Sequence, residues 1–166
     1  MNTDFHYWGA KNSTTQAESL LKSATNFTEI KQVENKLEDA EKHLHSIPVW
    51  FLGYYPEAYC QKFSCNWDFS FNEFEQIRSQ TTKLETKVFT QKSAFVSLLE
   101  AEQAYNGAKQ ELYIARTQKQ RDLALVSLQA SIQTIEEIPP ETLAKEKAEK
   151  KLKVYKRYYE KVAQNK

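Results

Sequence analysis

One stretch of the chain, from Ser70 to Arg116, constrains the fold more than any other. It contains no proline and a single glycine, Gly107. Apolar residues recur along it every three or four positions, which predicts one continuous helix about 70 Å long at ~1.5 Å per residue. These apolar positions are Phe74, Ile77, Leu84, Val88, Phe95, Leu98, Tyr105 and Leu112.

Four polar side chains interrupt this apolar seam. They are Thr81, Gln91, Glu102 and Lys109, and each stands where the heptad pattern expects an apolar residue. The seam is therefore imperfect. A helical seam of this length nevertheless leaves self-association of the chain open.

Shorter helices are predicted on both sides of the long one. We expect them at about 15–25, 27–46, 118–137 and 141–163, with Ile47-Pro48 and Ile138-Pro139 ending the second and the fourth helix in chain order. Residues 1–13 show no clear periodicity and are expected to form a separate N-terminal segment. The helix at 118–137 is predicted to bury Leu123, Val126, Leu128, Ala130, Ile132 and Ile135, and the last helix to bury Leu143, Ala144, Ala148, Leu152, Tyr155, Tyr159 and Val162.

The two halves of the chain match when one is shifted by 91 positions. Asn26 with Glu29 and Thr117 with Gln120 are capping-box pairs in register, and both halves then end a helix at Ile-Pro. The match predicts an all-α fold without β-sheet, an elongated tandem of two three-helix units that share the long central helix at about 70–116. The units would span 14–106 and 107–166. Two unrelated amphipathic hairpins are the alternative.

Small and apolar residues recur around an Ile-Pro pair at Ala108, Leu112, Ala115, Leu128, Ile135, Ile138, Pro139, Ala148, Leu152, Tyr155 and Ala163. This order resembles α-helical repeat segments of cyanobacterial membrane-associated proteins. The units would be joined through a continuous helix as in spectrin-like arrays. The resemblance implies an interaction or spacer module in a membrane-associated or extracytoplasmic setting, and it implies no catalytic residues.

The first unit differs from the second by an aromatic insertion at 49–69, which lies between Pro48 and the long helix. Ten of the chain's twenty-one aromatic residues lie between Val49 and Phe74. Their rings either extend the core of the first unit as a lid or form an exposed patch for a protein partner. The residues of that hypothetical contact patch are Trp50, Phe51, Tyr54, Tyr55 and Trp67.

The only cysteines, Cys60 and Cys65, also lie in this insertion. Their spacing permits a disulfide in a loop or at a helix end, and a disulfide would indicate an oxidising compartment. Two buried thiols in a reducing cytosol are the alternative. Two cysteines without a nearby histidine are too few ligands for a zinc site.

The sequence offers little catalytic chemistry. Its three glycines cannot form a phosphate-binding loop. His43 and His45 are two positions apart and point in different directions on a helix, and His6 is isolated in sequence. We therefore predict no enzyme and no catalytic, cofactor-binding or metal-binding residues; a deep polar pocket assembled in space would argue for an enzyme instead.

The last helix is rich in lysine and tyrosine. From Pro139 to Lys166 nine basic residues face four glutamates, although the net charge of the whole chain is only +1. Such a helix is either a solvated surface that complements its own dipole or a binding face for anionic lipid or nucleic acid. The candidate basic residues are Lys150, Lys153, Arg157 and Lys161.

Together these features predict a non-catalytic helical protein–protein interaction or spacer module that is part of a larger membrane-associated assembly, with its contact through the aromatic insertion. A binder of anionic surfaces through the basic last helix is the alternative; a nucleic acid partner is less expected than a membrane surface. The chain shows no signal peptide and no apolar run of about eighteen residues. A periplasmic location is favoured slightly over a cytoplasmic one.

Overall fold

The structure is a computed structural model that describes residues 3–48 and 69–164. The described residues form helices and connecting turns without any strand, which confirms the all-α prediction. The helices are α1 (Thr3–Ser23), α2 (Phe27–His45), α3 (Phe71–Ile114), α4 (Gln118–Glu136) and α5 (Lys145–Gln164).

The long helix α3 is confirmed as one uninterrupted element of 44 residues. A capping box fixes its start. The Glu73 backbone N–H donates to the Ser70 hydroxyl at 3.3 Å, and the Glu73 carboxylate accepts from the Ser70 backbone N–H at 2.7 Å. These hydrogen bonds from Ser70 lower the pKa of Glu73.

The predicted caps of α2 and α4 are also present. The Asn26 side chain accepts from the Glu29 backbone N–H at 3.0 Å. At the start of α4 the Thr117 hydroxyl accepts from the Gln120 N–H, and the Gln120 side chain accepts from the Thr117 N–H, both at 3.2 Å. Such reciprocal bonds satisfy backbone donors that the first helical turn leaves without partners.

Helix α1 begins twelve positions earlier than predicted, at Thr3 rather than Thr15. Residues 3–13 are thus helical and not a separate segment outside the helices. Its buried face repeats every three or four positions but mixes polar, small and aromatic residues, so a search for large apolar side chains does not detect it. That face consists of Thr3, Tyr7, Ala10, Thr14 and Ala17.

The predicted inner face of α4 was partly wrong. Leu123 is 59% exposed and Val126 is 64% exposed, and Ala130 is exposed as well. Ala124 and Leu125 are buried in place of Leu123 and Val126, and Ser131 is buried in place of Ala130. The buried positions are Ala124, Leu125, Leu128, Ser131, Ile132 and Ile135.

Helix α5 begins at Lys145, four residues later than predicted. A turn precedes it, in which the Thr142 hydroxyl and backbone N–H both donate to the Pro139 carbonyl oxygen, at 2.8 and 3.2 Å. The turn leaves Leu143 40% exposed, so its assignment to the buried face was wrong. Ala144, Ala148 and Tyr155 are buried as predicted.

Packing divides the chain into two compact units, Met1–Phe89 and Thr90–Lys166, with the division inside α3. The tandem of three-helix units and its internal repeat stay predictions. None of the described helices has the length and apolarity needed to cross a membrane. The first unit has a core cluster of Tyr7, Ala10, Leu44, Ile47, Phe69, Phe74 and Ile77; the second centres on Leu98, Tyr105, Leu128, Ile135, Ile138, Ala148 and Tyr155.

Candidate functional sites

The predicted contact patch of the aromatic insertion lies outside the described residues. The same holds for Cys60 and Cys65, so the possible disulfide also stays a prediction. The patch consists of Trp50, Phe51, Tyr54, Tyr55 and Trp67.

The basic residues of α5 separate into two groups. Three lysines turn towards other parts of their unit: Lys145 donates to the Ile138 carbonyl oxygen at 3.0 Å, and Lys151 and Lys156 form ion pairs with Glu102 and Glu136. These contacts engage three of the eight basic residues between Lys145 and Lys161. The remaining cations are on the outside of the unit.

The four candidate basic residues of α5 form an exposed stripe. Their spacing of three, four and four positions places them on one face of the helix. Lys150 pairs with Glu146 one turn earlier, at 2.5 Å, and both side chains are largely exposed. No other of the four has an ion pair within residues 3–48 and 69–164. We call Lys150, Lys153, Arg157 and Lys161 the basic stripe.

Aromatic stacking holds the opposite face of α5 against α3. The rings of Tyr105 and Tyr155 are parallel within 2°, with centroids 3.6 Å apart, and Tyr158 meets Tyr105 edge-on. Burial raises the pKa of Tyr155 to about 12, with smaller contributions from Glu102 and Tyr105. Both phenols therefore remain neutral at physiological pH and serve as packing groups. The stacking fixes the rotation of α5 that exposes the basic stripe.

The polar interruptions of the α3 seam all have identifiable contacts. In the first unit, the hydroxyl oxygens of Thr81 and Thr14 are 2.8 Å apart, and both residues are 1% exposed. The Thr81 hydroxyl also donates to the Ile77 carbonyl oxygen at 2.9 Å, so its single proton is used there. Thr14 must therefore donate to Thr81 across the helix pair.

In the second unit, the Gln91 side chain binds the turn before α5. Its amide oxygen accepts from the Leu143 backbone N–H at 2.8 Å, and its amide nitrogen donates to the Glu141 carbonyl oxygen at 3.3 Å. A primary amide can satisfy both backbone groups at once because it carries a donor and an acceptor side by side. Gln91 thereby fixes the turn from which α5 starts.

The other two interruptions contact α5 itself. The Glu102 carboxylate and the Lys151 ammonium are 2.6 Å apart, with side chains 38% and 23% exposed. Lys151 lowers the pKa of Glu102 chiefly through this hydrogen bond. The Lys109 ammonium lies 5.5 Å from the ring centre of Tyr105 and 5.3 Å from that of Tyr158, within cation–π range. In the sequence these two residues interrupt the apolar pattern of α3, whereas in the structure each of them contacts α5.

A histidine pair joins α1 to α2 in the first unit. His6, which is isolated in sequence, and His43 bring their Nδ1 atoms to 3.2 Å. The Phe5 ring meets both imidazoles edge-on, with ring centres 5.4 and 5.6 Å away. His45 is exposed, as expected for a surface histidine. Helical spacing alone does not reveal the pair, since the partners are 37 positions apart.

Gly9 makes room for this pair. A Cβ atom on Gly9 would lie only 2.6 Å from Cε1 and Nε2 of the His43 ring. Glycine inside a helix costs about 1 kcal/mol relative to alanine. The close approach of the imidazole is therefore a physical reason for glycine at this position of α1.

A carboxyl pair joins α2 to α3. Burial, followed by the hydrogen bond and the charge of Glu41, raises the pKa of Glu85 to about 7. The Glu85 carboxyl is therefore partly protonated near neutral pH, since its ionised form would be buried and would be repelled by the neighbouring carboxylate.

The Glu41 carboxyl group also lines a cavity of about 360 Å³ together with Arg78 and His45 above an apolar floor of Leu44, Ile47 and Phe74. The two hydroxyls in its wall are already engaged: Thr81 with Ile77 and Thr14, and Thr82 with the Arg78 carbonyl oxygen. Across the described parts of the chain, no group of three or more His, Cys, Asp or Glu residues is placed to hold a metal ion.

Comparison of the chain with protein-family models, curated proteins and solved structures finds no match. The resemblance to cyanobacterial helical repeats accordingly stays a prediction.

Proposed function

We propose that this chain is a non-catalytic helical module that binds a protein partner or acts as a spacer within a larger assembly. The observation that carries the proposal is that polar side chains of α1 and α3 are engaged in contacts between helices and turns. Thr14 and Thr81 bond each other, Gln91 binds a turn, and Glu102 pairs with Lys151. Polar groups that bind other parts of the same chain are typical of a scaffold, whereas catalytic polar groups must face a substrate.

The proposed contact is the aromatic insertion, because tryptophan and tyrosine are the residues most often used as anchors in protein interfaces. The test is affinity purification of the full chain from extracts of its source cells, with quantitative comparison of variants. Trp50→Ala with Tyr54→Ala should abolish recovery of a reproducible partner. Leu123→Ala with Val126→Ala is the control, since it removes exposed apolar side chains elsewhere. Equal recovery by both double variants would contradict the contact through the insertion.

A second candidate function is binding to an anionic surface through the basic stripe. Two observations support it. The four residues of the basic stripe are exposed on one face of α5. Lys145, Lys151 and Lys156 instead contact other parts of their unit. Cations on one helix face attract anionic headgroups or phosphates, and salt weakens the attraction.

Sedimentation with vesicles that contain phosphatidylserine tests this second function. Lys153→Gln with Arg157→Gln should reduce binding at low salt. Lys83→Gln with Lys87→Gln on α3 is a matched control, because the two residues have the same spacing, exposure and charge. No binding of the unmodified chain at low salt, or equal loss in both variants, would remove this function.

A further inference from the structure

The outward face of α4 carries a regular stripe of exposed residues. Their spacing alternates between four and three positions, which is the spacing of a helix face that pairs with another helix. The two large apolar members, Leu123 and Val126, are 59% and 64% exposed although α4 already buries an apolar face inside its unit. We call Lys119, Leu123, Val126, Ala130, Gln133 and Glu137 the outer stripe.

We infer that two copies of this chain pair through their outer stripes, with the two α4 helices antiparallel. The stripe begins with a cation and ends with an anion, so it is complementary to itself when one copy is reversed. In the fully overlapping register, Lys119 of each copy lies opposite Glu137 of the other. Val126 then lies opposite Ala130, whose small side chain permits close approach, and the pair is symmetric about a two-fold axis.

The charged ends select this arrangement. Lys119 has no ion pair among the described residues, and the Glu137 carboxylate accepts from the Gln133 amide nitrogen at 3.0 Å. A parallel pair would place Lys119 against Lys119 and Glu137 against Glu137, which like charges disfavour. An antiparallel pair shifted by seven positions would face Lys119 with Ala130 and leave Glu137 beyond the end of the other helix. Only the fully overlapping antiparallel pair forms both ion pairs.

The residues beside the outer stripe are compatible with the contact. On one side they are uncharged: Gln120, Ser127 and Thr134. On the other side Gln129 lies near the two-fold axis, where an amide can bond to its own copy. Glu136 would lie near Asp122 of the second copy, but its charge is already balanced by the ion pair with Lys156.

The size of the contact predicts a weak dimer. Helix α4 has 19 residues and is therefore about 28 Å long. One helix pair of this length lies at the small end of protein interfaces, below about 1,200 Å² of buried area. We expect a reversible dimer in which apolar contact supplies the attraction and the terminal charges fix the direction. The outer stripe shares no residue with the aromatic insertion or the basic stripe, so its test is independent of the proposed function.

Sedimentation equilibrium of the full chain under reducing conditions tests the inference, at protein concentrations from about 10 μM to about 1 mM. The average mass should rise from 19.4 kDa towards twice that value. Lys119→Glu and Glu137→Lys should each weaken dimerisation about tenfold, because the facing residues then carry like charges. Both changes suit the dipole of α4, so the helix should be kept. An equimolar mixture of the two variants should dimerise as the parent does, since both ion pairs form again between unlike chains.

Leu123→Ser should weaken the dimer as well, and Leu99→Ser is its matched control, because Leu99 on α3 is 55% exposed but lies outside the outer stripe. A parent that stays monomeric at the highest concentration would overturn the inference and assign the stripe to a different partner. A dimer that neither charge reversal weakens would overturn it too, as would a mixture of the two variants that stays monomeric.

Amide ¹H–¹⁵N spectra of the unsubstituted chain locate the contact without any variant. Between low and high concentration, the signals of Leu123, Val126 and Ala130 should shift, and that of Leu99 should not. Shifts confined to α3 would place self-association on the long helix and contradict pairing through α4.

Discussion

The hydrogen bond between Thr14 and Thr81 gives the sharpest prediction about stability, because its two partners are not equivalent. Thr81→Val leaves the Thr14 hydroxyl buried without its acceptor, which should cost about 1–3 kcal/mol. Thr14→Val leaves the Thr81 hydroxyl still donating to the Ile77 carbonyl oxygen, so this variant should lose only about 0.5–1 kcal/mol. Valine has nearly the shape of threonine, and neither variant should create a cavity.

The double variant should then cost less than the sum of the two single variants, by about 1 kcal/mol or more, since its interior no longer contains an unpaired hydroxyl. Urea unfolding followed by circular dichroism at 222 nm measures all three. Thr82→Val is the control: its hydroxyl donates to a backbone oxygen one turn back, as that of Thr81 does, but it is exposed. Additive costs, or a Thr81→Val cost no greater than that of the control, would refute the reasoning.

Three further predictions concern single positions. The raised pKa of Glu85 means that the folded chain binds this proton more tightly than the unfolded chain, so its contribution to stability is lost as pH rises from about 4.5 to about 7. Glu85→Gln should therefore increase the free energy of unfolding at pH 8 by about 1 kcal/mol after solvent screening, and Glu38→Gln should not. Gly107→Ala should stabilise the folded chain by about 1 kcal/mol, because a Cβ atom there meets no other atom within 4 Å. Gly9→Ala should not show this gain, because its Cβ atom would displace the His43 ring. Thermal unfolding of the two variants compares them. Gln91→Ala should speed amide hydrogen exchange in the turn before α5, and unchanged exchange would contradict the role of the side chain.

The sequence predicts those features of the fold that depend on residues close together along the chain. The bounds of α3, the Asn26 and Thr117 caps and the Ile-Pro ends follow from local patterns, and they are observed within one or two residues of their predicted positions. The start of α1 and the inner face of α4 do not follow from such patterns. In both cases Thr, Ser and Ala occupy buried positions, and burial of small or polar residues depends on what packs opposite them.

The candidate sites differ in the same way. The basic stripe is visible as regular spacing along one helix. The His6–His43 pair and the Gln91–Leu143 contact are not visible, since each joins residues that are 37 or 52 positions apart. The interrupted seam of α3 points towards the Gln91–Leu143 contact, because a polar residue on a buried face needs a partner. It gives no signal for the histidine pair, which joins α1 to α2.

The central claim is that the polar side chains of α3 specify how its neighbours pack. Replacing all four by apolar residues (Thr81→Val, Gln91→Leu, Glu102→Leu and Lys109→Leu) tests it most directly, with mass measured by sedimentation equilibrium and order by the ¹H–¹⁵N amide spectrum. We predict a larger mass than the parent and a broadened spectrum, because a continuous apolar seam accepts alternative registers and further copies of the chain. The mass of the parent with an equally dispersed spectrum would contradict the claim.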